Sequence, residues 1–184
     1  MEEIELVKKA KNDIQAFDEL YRIYYPKINN FVFHRTFNKD VRNEIVSNIF
    51  YKAMKNLYRF RFLDKHRCSF SSWLYRIAVS EVNQYYRDRK RDRLLAYKKL
   101  NDIPDEPTVY PYQFDFVKRC LLKLSPFEQN LIALKYFEKK TYKELSEIFG
   151  KKENALKVRM HRSLKKLKFI LEQESENEKN KRYA

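Results

Sequence analysis

The sequence predicts an all-α protein with two helical domains joined by a proline-rich, acidic linker. The 184 residues include a single glycine, which disfavours glycine-rich phosphate loops and turn-dense β folds. Apolar side chains recur at steps of three and four along most of the chain, the spacing of amphipathic helices. Three of the five prolines fall between residues 101 and 113, where this helical pattern stops.

The first predicted domain comprises residues 1–100. Apolar periodicity predicts helices over residues 2–10, 13–36, 40–58 and 69–99. In the last of these, Phe70, Trp73 and Ile77 share one stripe, which favours a role in the core. Between Leu57 and Phe70 the sequence is aromatic, basic and irregular, so a loop is predicted there.

The predicted linker comprises residues 101–112. It contains three prolines, three acids and no lysine or arginine, and a segment of this composition is typical of a spacer. Both flanking domains are basic, with 22 basic against 12 acidic residues in 1–100 and 18 against 10 in 113–184. The alternation suggests two basic units that contact one polyanion.

The second predicted domain, residues 113–171, carries the signature of a helix-turn-helix. "SPFE" at 125–128 and "TYKE" at 141–144 are capping boxes that open helices, and Gly150 ends the second of these helices. A longer, basic helix is predicted to start directly afterwards. Residues 172–184 form a polar tail of mixed charge, expected to be frayed or disordered.

The formal net charge of +15 favours a polyanionic partner: nucleic acid, an anionic membrane surface or an acidic protein. The N-terminus has no apolar signal-peptide core, and no apolar run is long enough to predict a membrane span. Two isolated cysteines, Cys68 and Cys120, suggest reduced thiols and a cytoplasmic location. No catalytic or zinc-binding motif is present, so we expect neither enzymatic activity, nor a metal, nor a cofactor.

The basic helix over 153–171 is predicted to read duplex DNA. Its leucine-rich seam faces other helices, and the opposite face combines side chains that pair with base edges and lysines suited to phosphates. The predicted contact residues are Lys152, Asn154, Lys157, Val158, Arg159, His161, Arg162 and Lys165. A membrane-surface helix and a merely solvated face are the alternatives.

The loop before the third long helix suggests contact with single-stranded nucleic acid. Tyr58, Phe60 and Phe62 alternate with Arg59 and Arg61, and rings can stack on bases while cations hold the backbone. Packing in the core is the competing interpretation for the aromatic residues. Two further tyrosines, Tyr75 and Tyr86, are expected to be free to act.

Four stretches together resemble the extracytoplasmic-function class of bacterial sigma-70 factors. They are "DVRNEIVSNIF" at 40–50, "FSSWLYRIAVS" at 70–80, "LSPFEQNLIALKYFEKKTYKELSEIFG" at 124–150 and "LKVRMHRS" at 156–163. The resemblance spans roughly residues 13–171 and includes the position of the linker. It implies a transcription initiation factor that binds core RNA polymerase, recognises the −35 and −10 promoter elements and promotes strand opening.

The resemblance also implies roles for particular residues. It places polymerase binding on the helix over 40–58, at Asp40, Glu44, Ile45, Val46, Asn48 and Phe50. It places −10 recognition and melting on the loop and the following helix, at Tyr58, Phe60, Arg61, Phe62, Tyr75, Arg76, Ser80, Asn83 and Arg87. The partners it implies are the clamp helices of the polymerase largest subunit, the flap of the second-largest, promoter DNA in double- and single-stranded form, and an anti-sigma or other regulatory protein.

The chain departs from the family pattern at five positions. Ser47 and Asn48 stand where Gln and Glu are usual, Ser80 replaces a frequent Asn, and Lys151 and Lys152 replace an apolar residue and a serine cap. Two other classes of protein remain open from the residues alone. One is a helix-turn-helix repressor or activator that never engages polymerase, and the other is an RNA-binding protein that uses the aromatic loop.

Overall fold

A computed structural model describes residues 2–61, 69–97 and 112–182, and these residues form eight α-helices. The helices are α1 (Glu3–Ala10), α2 (Ile14–Thr36), α3 (Lys39–Asn56), α4 (Phe70–Tyr97), α5 (Tyr112–Leu122), α6 (Pro126–Ile132), α7 (Tyr142–Phe149) and α8 (Glu153–Arg182). No strand occurs within the described ranges, which confirms the all-α prediction. The same ranges contain no helix with both the length and the apolar character needed to cross a membrane.

The helix boundaries follow from local side-chain chemistry. The Asn38 side chain accepts hydrogen bonds from the first backbone N–H groups of α3, and Ser125 and Thr141 close capping boxes at the starts of α6 and α7. Gly150 ends α7 in the left-handed region at φ 63°, a conformation that costs glycine little. Both predicted capping boxes and the glycine stop are therefore confirmed.

Helices α1 to α4 form the first helical unit. Its core consists of side chains from one face of each helix, including Leu20, Ile28, Ile49, Leu74 and Val82. Phe31 and Tyr75 meet edge to face with ring centroids 5.8 Å apart, which ties α2 to α4. After α3 the chain makes a 3₁₀ turn over Leu57–Arg59.

Helices α5 to α8 form the second helical unit, whose core is largely leucine. Leu131, Leu134, Leu145 and Leu156 are fully buried. Between α6 and α7 a π-type turn over Ala133–Phe137 widens the backbone, and Glu138 N donates to the Ala133 carbonyl oxygen at 3.3 Å. The sequence did not predict this turn.

The C-terminal segment differs from its prediction. Residues 172–182 continue α8 instead of forming a frayed tail. An ion pair of 2.5 Å between Lys123 and Glu174 connects this extension to the end of α5 and helps to explain why it stays helical. The predicted linker at 101–112 falls, except for Tyr112, outside the described residues, so the predicted domain limits stay predictions.

The two units pack against each other through α2 and α4 on one side and α6, α7 and the π-type turn on the other. Arg35 Nε donates to Asn130 Oδ1 at 2.6 Å, and the Tyr75 hydroxyl donates to Glu138 Oε2 at 2.5 Å. The contact thus combines hydrogen bonds between side chains with apolar packing, because buried apolar residues of both units belong to one hydrophobic core.

Candidate nucleic-acid interface

Helix α8 is held against α6 and α7 by the seam that its sequence predicts. Leu156 and Met160 are buried, and Leu164 and Leu167 pack against the same core. Gly150 allows the tight turn from α7 into α8, so the two helices form a helix-turn-helix. The seam fixes which face of α8 points away from the protein.

That outward face carries every residue predicted to contact duplex DNA. All eight are exposed: Lys152, Asn154, Lys157, Val158, Arg159, His161, Arg162 and Lys165. Val158 is 52% exposed, although burying an apolar side chain of this kind is normally favourable. Five residues line an open depression of about 480 Å³ on this face, namely Asn154, Ala155, Val158, Arg159 and Arg162. The face therefore combines hydrogen-bonding groups, one methyl-bearing side chain and several cations, as contact with base edges requires.

Two aromatic side chains position cations beside this face. The Lys157 ammonium lies 5.7 Å from the Tyr142 ring centroid, and Lys135 lies 4.7 Å from the same ring. The Arg159 guanidinium lies 5.8 Å from the Phe127 ring. These contacts hold positive charge near the start of α8, where phosphates of a duplex could be bound.

Glu128 anchors the inner edge of α8. Its carboxylate closes the Ser125 capping box and lies 3.5 Å from the Lys166 ammonium and 4.0 Å from Arg159. Burial alone would raise the pKa of Glu128, but the hydrogen bonds from Ser125 and the charge of Lys166 outweigh burial and lower it. The ionised carboxylate thus helps to set the orientation of α8 on the second unit.

The aromatic loop before α4 divides into exposed and buried residues. Tyr58 is 61% exposed with the Arg59 guanidinium 5.1 Å from its ring, and Arg61 is exposed as well. Phe60 is buried at 3% exposure, and its ring centroid lies 5.2 Å from that of Trp73. The expectation that Phe60 is free to stack on a base is therefore wrong, because its ring belongs to the core. Phe62 lies outside the described residues.

Helix α4 places its predicted −10 residues in different environments. Arg76, Ser80 and Arg87 are exposed. Tyr75 is fully buried, and its hydroxyl contacts Glu138. The expectation that Tyr75 is free to act is also wrong, since the ring packs on Phe31 and burial raises the pKa of its hydroxyl.

Three other polar groups of the first unit are engaged in contacts within the protein. Arg76 Nε donates to the backbone carbonyl of Glu147 at 2.8 Å, and Asn83 Oδ1 accepts from Asn130 Nδ2 at 2.9 Å. The Tyr86 hydroxyl donates to the Arg35 backbone carbonyl at 2.5 Å, so this tyrosine is not free to act either. Among the predicted −10 residues, Arg76 and Asn83 therefore point towards the second unit.

The predicted polymerase-binding residues of α3 also divide into exposed and buried ones. Asp40, Glu44 and Asn48 are exposed, whereas Ile45, Val46 and Phe50 are buried in the core. The side chains of the buried three cannot touch a partner in this conformation, because they face α2 and α4.

Two exposed apolar residues on α3 were missed by the sequence-based prediction. Tyr51 is 58% exposed and Met54 is 44% exposed, and both continue the exposed face that begins at Glu44 and Asn48. The spacing 44, 48, 51 and 54, with steps of four, three and three residues, is the sequence signal that could have revealed this face. Glu44 and Asn48 also border a cavity of about 500 Å³ between α3 and α4.

Comparison with known proteins agrees with this arrangement. The family described as "Sigma-70 region 2" matches residues 20–92, and "Sigma-70, region 4" matches residues 117–167. The ECF RNA polymerase sigma factor SigW of Bacillus subtilis (strain 168) is 27% identical over 179 residues, covering 90% of this chain and 92% of SigW.

Two solved structures share the fold. CnrH in complex with the cytosolic domain of CnrY has a TM-score of 0.70 and 21% identity, with 93% of this chain and 97% of CnrH covered. The sigma factor RpoE of Bartonella quintana, in complex with the anti-sigma factor NepR, has a TM-score of 0.64 and 20% identity, with 85% of this chain and 96% of RpoE covered. With both family regions matched in order and the helix-turn-helix in the place the second requires, the chain belongs to the extracytoplasmic-function class of the sigma-70 family and is a transcription initiation factor.

Proposed function

We propose that this sigma factor reads the −35 element as duplex DNA with α8, holds the −10 strand with α4 and the loop before it, and binds core RNA polymerase with the exposed face of α3. The observation that carries the proposal is the outward face of α8, on which all eight predicted contact residues are exposed. A helix presented in this way by a helix-turn-helix fits the major groove.

On this face we assign base reading to the side chains that can discriminate between bases. Asn154 and Arg162 can pair with adenine and guanine edges, and Val158 can contact a thymine methyl. Lys152, Lys157 and Lys165 supply contacts to phosphates. Because phosphate contacts carry no sequence information, we expect the promoter preference to depend on Asn154, Val158 and Arg162.

For the −10 strand, the proposal rests on the exposed residues near the start and middle of α4. Tyr58 offers an exposed ring with a guanidinium beside it, which suits an unstacked base and its neighbouring phosphate. Arg61, Arg76, Ser80 and Arg87 are the other exposed members of the set. Phe60 and Tyr75 act indirectly, because they shape the core below this surface.

For polymerase, we propose a contact surface on α3 that consists of Asp40, Glu44, Asn48, Tyr51 and Met54. It combines two acids with two apolar side chains, a composition that can bind the clamp helices of the largest subunit with both charge and apolar area. The second unit would contact the flap of the second-largest subunit. Since core RNA polymerase and promoter DNA are found together at the chromosome, the proposed location of this protein is the cytoplasm.

We also propose that a regulatory protein of the anti-sigma type binds this chain. The solved relatives support this proposal, since RpoE is bound to NepR and CnrH to CnrY in their structures.

Reconstitution with core RNA polymerase tests the proposed function. The expected result is a complex that initiates from a duplex promoter selected from random DNA. If core polymerase does not bind at micromolar concentration while the protein alone protects duplex DNA, the repressor or activator alternative is correct.

A matched pair of variants tests the α3 surface. Met54→Ala should weaken binding to core polymerase, whereas Ile4→Ala removes a side chain of similar exposure from α1 (45% against 44%) and should not. Equal losses for both variants would contradict the assignment of this surface.

A further inference from the structure

We infer that Lys11 is a positioning residue for the turn at 58–61, here called the strand-holding turn. Its ammonium bonds to the backbone at Phe60 and so fixes where the exposed side chains of Tyr58 and Arg61 lie. The inference rests on the proposed function, because it assigns a support to the site that is proposed to hold the −10 strand. None of the four stretches that carry the family resemblance includes Lys11.

The contact joins two parts of the first unit that are distant in sequence. Lys11 Nζ donates to the backbone carbonyl oxygen of Phe60 at 2.6 Å, across 49 residues. Lys11 is half-buried, whereas Lys8 and Lys9 on the preceding helix are exposed. Hydrogen bonds from charged donors are about twice as strong as those between neutral groups, so this contact can restrain a short turn.

Phe60 is held by its ring, its N–H and its carbonyl group. The ring is buried, with centroid distances of 5.2 Å to Trp73 and 5.8 Å to Phe70. The N–H donates to the Leu57 carbonyl oxygen at 3.0 Å, and the carbonyl oxygen accepts from Lys11. Because all three groups are engaged, Phe60 is a fixed position between two exposed stretches of the turn.

The backbone of Lys11 is itself fixed by the packing of α1 on α2. Lys11 lies in the short turn between these helices, where Asp13 N donates to the Lys9 carbonyl oxygen at 3.1 Å. Helix α1 packs into the core of the first unit through Leu6 and Val7, which are both buried. The ammonium therefore connects one rigid turn to another.

The strand-holding turn presents two side chains whose use depends on its position. Tyr58 is 61% exposed, and its hydroxyl accepts from Arg59 Nε at 2.6 Å. Arg61 follows Phe60 directly and is exposed. A ring that stacks on a base contributes most when it is already in place, because ordering a free turn on binding costs affinity. Lys11 thus lowers the cost of holding an unstacked base without touching the base.

Lys11→Met tests the inference, because methionine keeps an unbranched apolar stem and removes the donor. With core polymerase, on a promoter selected from random DNA, the rate of strand opening should fall about tenfold, the scale of one hydrogen bond to a charged group. Permanganate reactivity of promoter thymines measures this rate. Lys11→Arg keeps a donor and should recover most of it. Lys8→Met removes an exposed lysine from α1 and should not slow opening, and equal rates in Lys11→Met and Lys8→Met would overturn the inference.

A double variant shows whether Lys11 acts through the strand-holding turn. Tyr58→Ala removes the ring that the turn presents, so adding Lys11→Met should slow opening by less than the product of the two single losses. Losses that multiply would overturn the inference, because Lys11 would then act elsewhere. A contribution to stability alone would not produce this coupling, and thermal denaturation of each variant measures that contribution separately.

Acetylation of lysines in the unmutated protein covers the case in which Lys11→Met does not fold. An engaged ammonium reacts only when its contact opens, so Lys11 should be acetylated about tenfold more slowly than Lys8, as measured by mass spectrometry. Equal rates would overturn the inference, because the contact with Phe60 would be absent. If the unmutated protein with core polymerase does not open the promoter at all, the proposed function itself fails, a result distinct from each of these.

Discussion

Arg35 Nε donates a hydrogen bond to Oδ1 of Asn130 at 2.6 Å, and both side chains are almost completely buried where α2 meets α6. Burial lowers the pKa of the Arg35 guanidinium, which nevertheless stays protonated at neutral pH. Arg35 also donates to Gln129, and its guanidinium lies 5.5 Å from the Tyr86 ring. One buried cation thus connects the two units through several acceptors.

Asn130→Leu should lower the free energy of unfolding by about 2–3 kcal/mol, because it removes the acceptor from a buried charged group. It also removes the donor to Asn83. Asn130→Asp keeps an acceptor of the same shape and should cost much less. Urea denaturation measures both variants, and similar losses would mean that Arg35 does not depend on this bond.

His34 should make the protein less stable in mild acid. Burial lowers its pKa, so below its usual value of about 6.5 the unfolded chain binds a proton that the folded chain does not.

The expected effect is a fall in unfolding free energy as the pH is lowered from 7 to 5. His34→Phe keeps an aromatic ring opposite Phe137 and should flatten this dependence. The carboxyls of Glu128 and Glu144 have lowered pKa values, so their contribution is lost only below their ordinary value of 4.5. An unchanged slope in His34→Phe would assign the acid sensitivity to another group.

Arg162→Ala and Lys157→Ala should weaken DNA binding in different ways. Loss of Arg162 should cost about 1–3 kcal/mol of discrimination at one base pair. Loss of Lys157 should weaken all sites and reduce the salt dependence, because it removes one phosphate contact. The affinity of the holoenzyme for a set of −35 variants, measured at two salt concentrations, distinguishes a loss of base discrimination from a loss of a phosphate contact. Sequence-independent losses for both would remove Arg162 from base reading.

Tyr58→Ala and Phe60→Ala compare an exposed and a buried aromatic residue two positions apart. Tyr58→Ala should leave thermal stability unchanged and impair strand opening. Permanganate reactivity of promoter thymines measures the strand opening. Phe60→Ala should destabilise the protein by about 3–5 kcal/mol, because it empties a site in the core. Normal strand opening by Tyr58→Ala would exclude a role in holding a base.

Lys152→Ser should have opposite effects on stability and DNA binding. The Lys152 carbonyl accepts the first bond of α8 from Leu156 N at 3.1 Å, so residue 152 is the N-cap. A serine there should add about 0.5–2 kcal/mol of stability and remove one phosphate contact. Lys151→Ser removes a charge without adding the cap, so a matching stabilisation in that variant would show that charge alone is responsible.

Local sequence determined most of the secondary structure and the whole of the α8 face. Capping boxes, a glycine stop and a leucine seam act within a few residues of each other, so their consequences can be predicted from spacing alone. The same pattern placed Asn154, Val158 and Arg162 on the outward side, because the seam must be buried.

Only the tertiary structure decided which of the remaining aromatic and apolar residues are available to a partner. Phe60, Tyr75 and Phe50 belong to motifs with a plausible role in binding, yet each fills the core of the first unit. Arg76 and Asn83 form hydrogen bonds within the protein that the sequence did not predict. The acceptor for Arg76 lies on α7 and the donor to Asn83 lies on α6, and both are distant in sequence. Helical periodicity shows which side of a helix is apolar, but it does not show which other helix covers a polar side, because that depends on long-range packing.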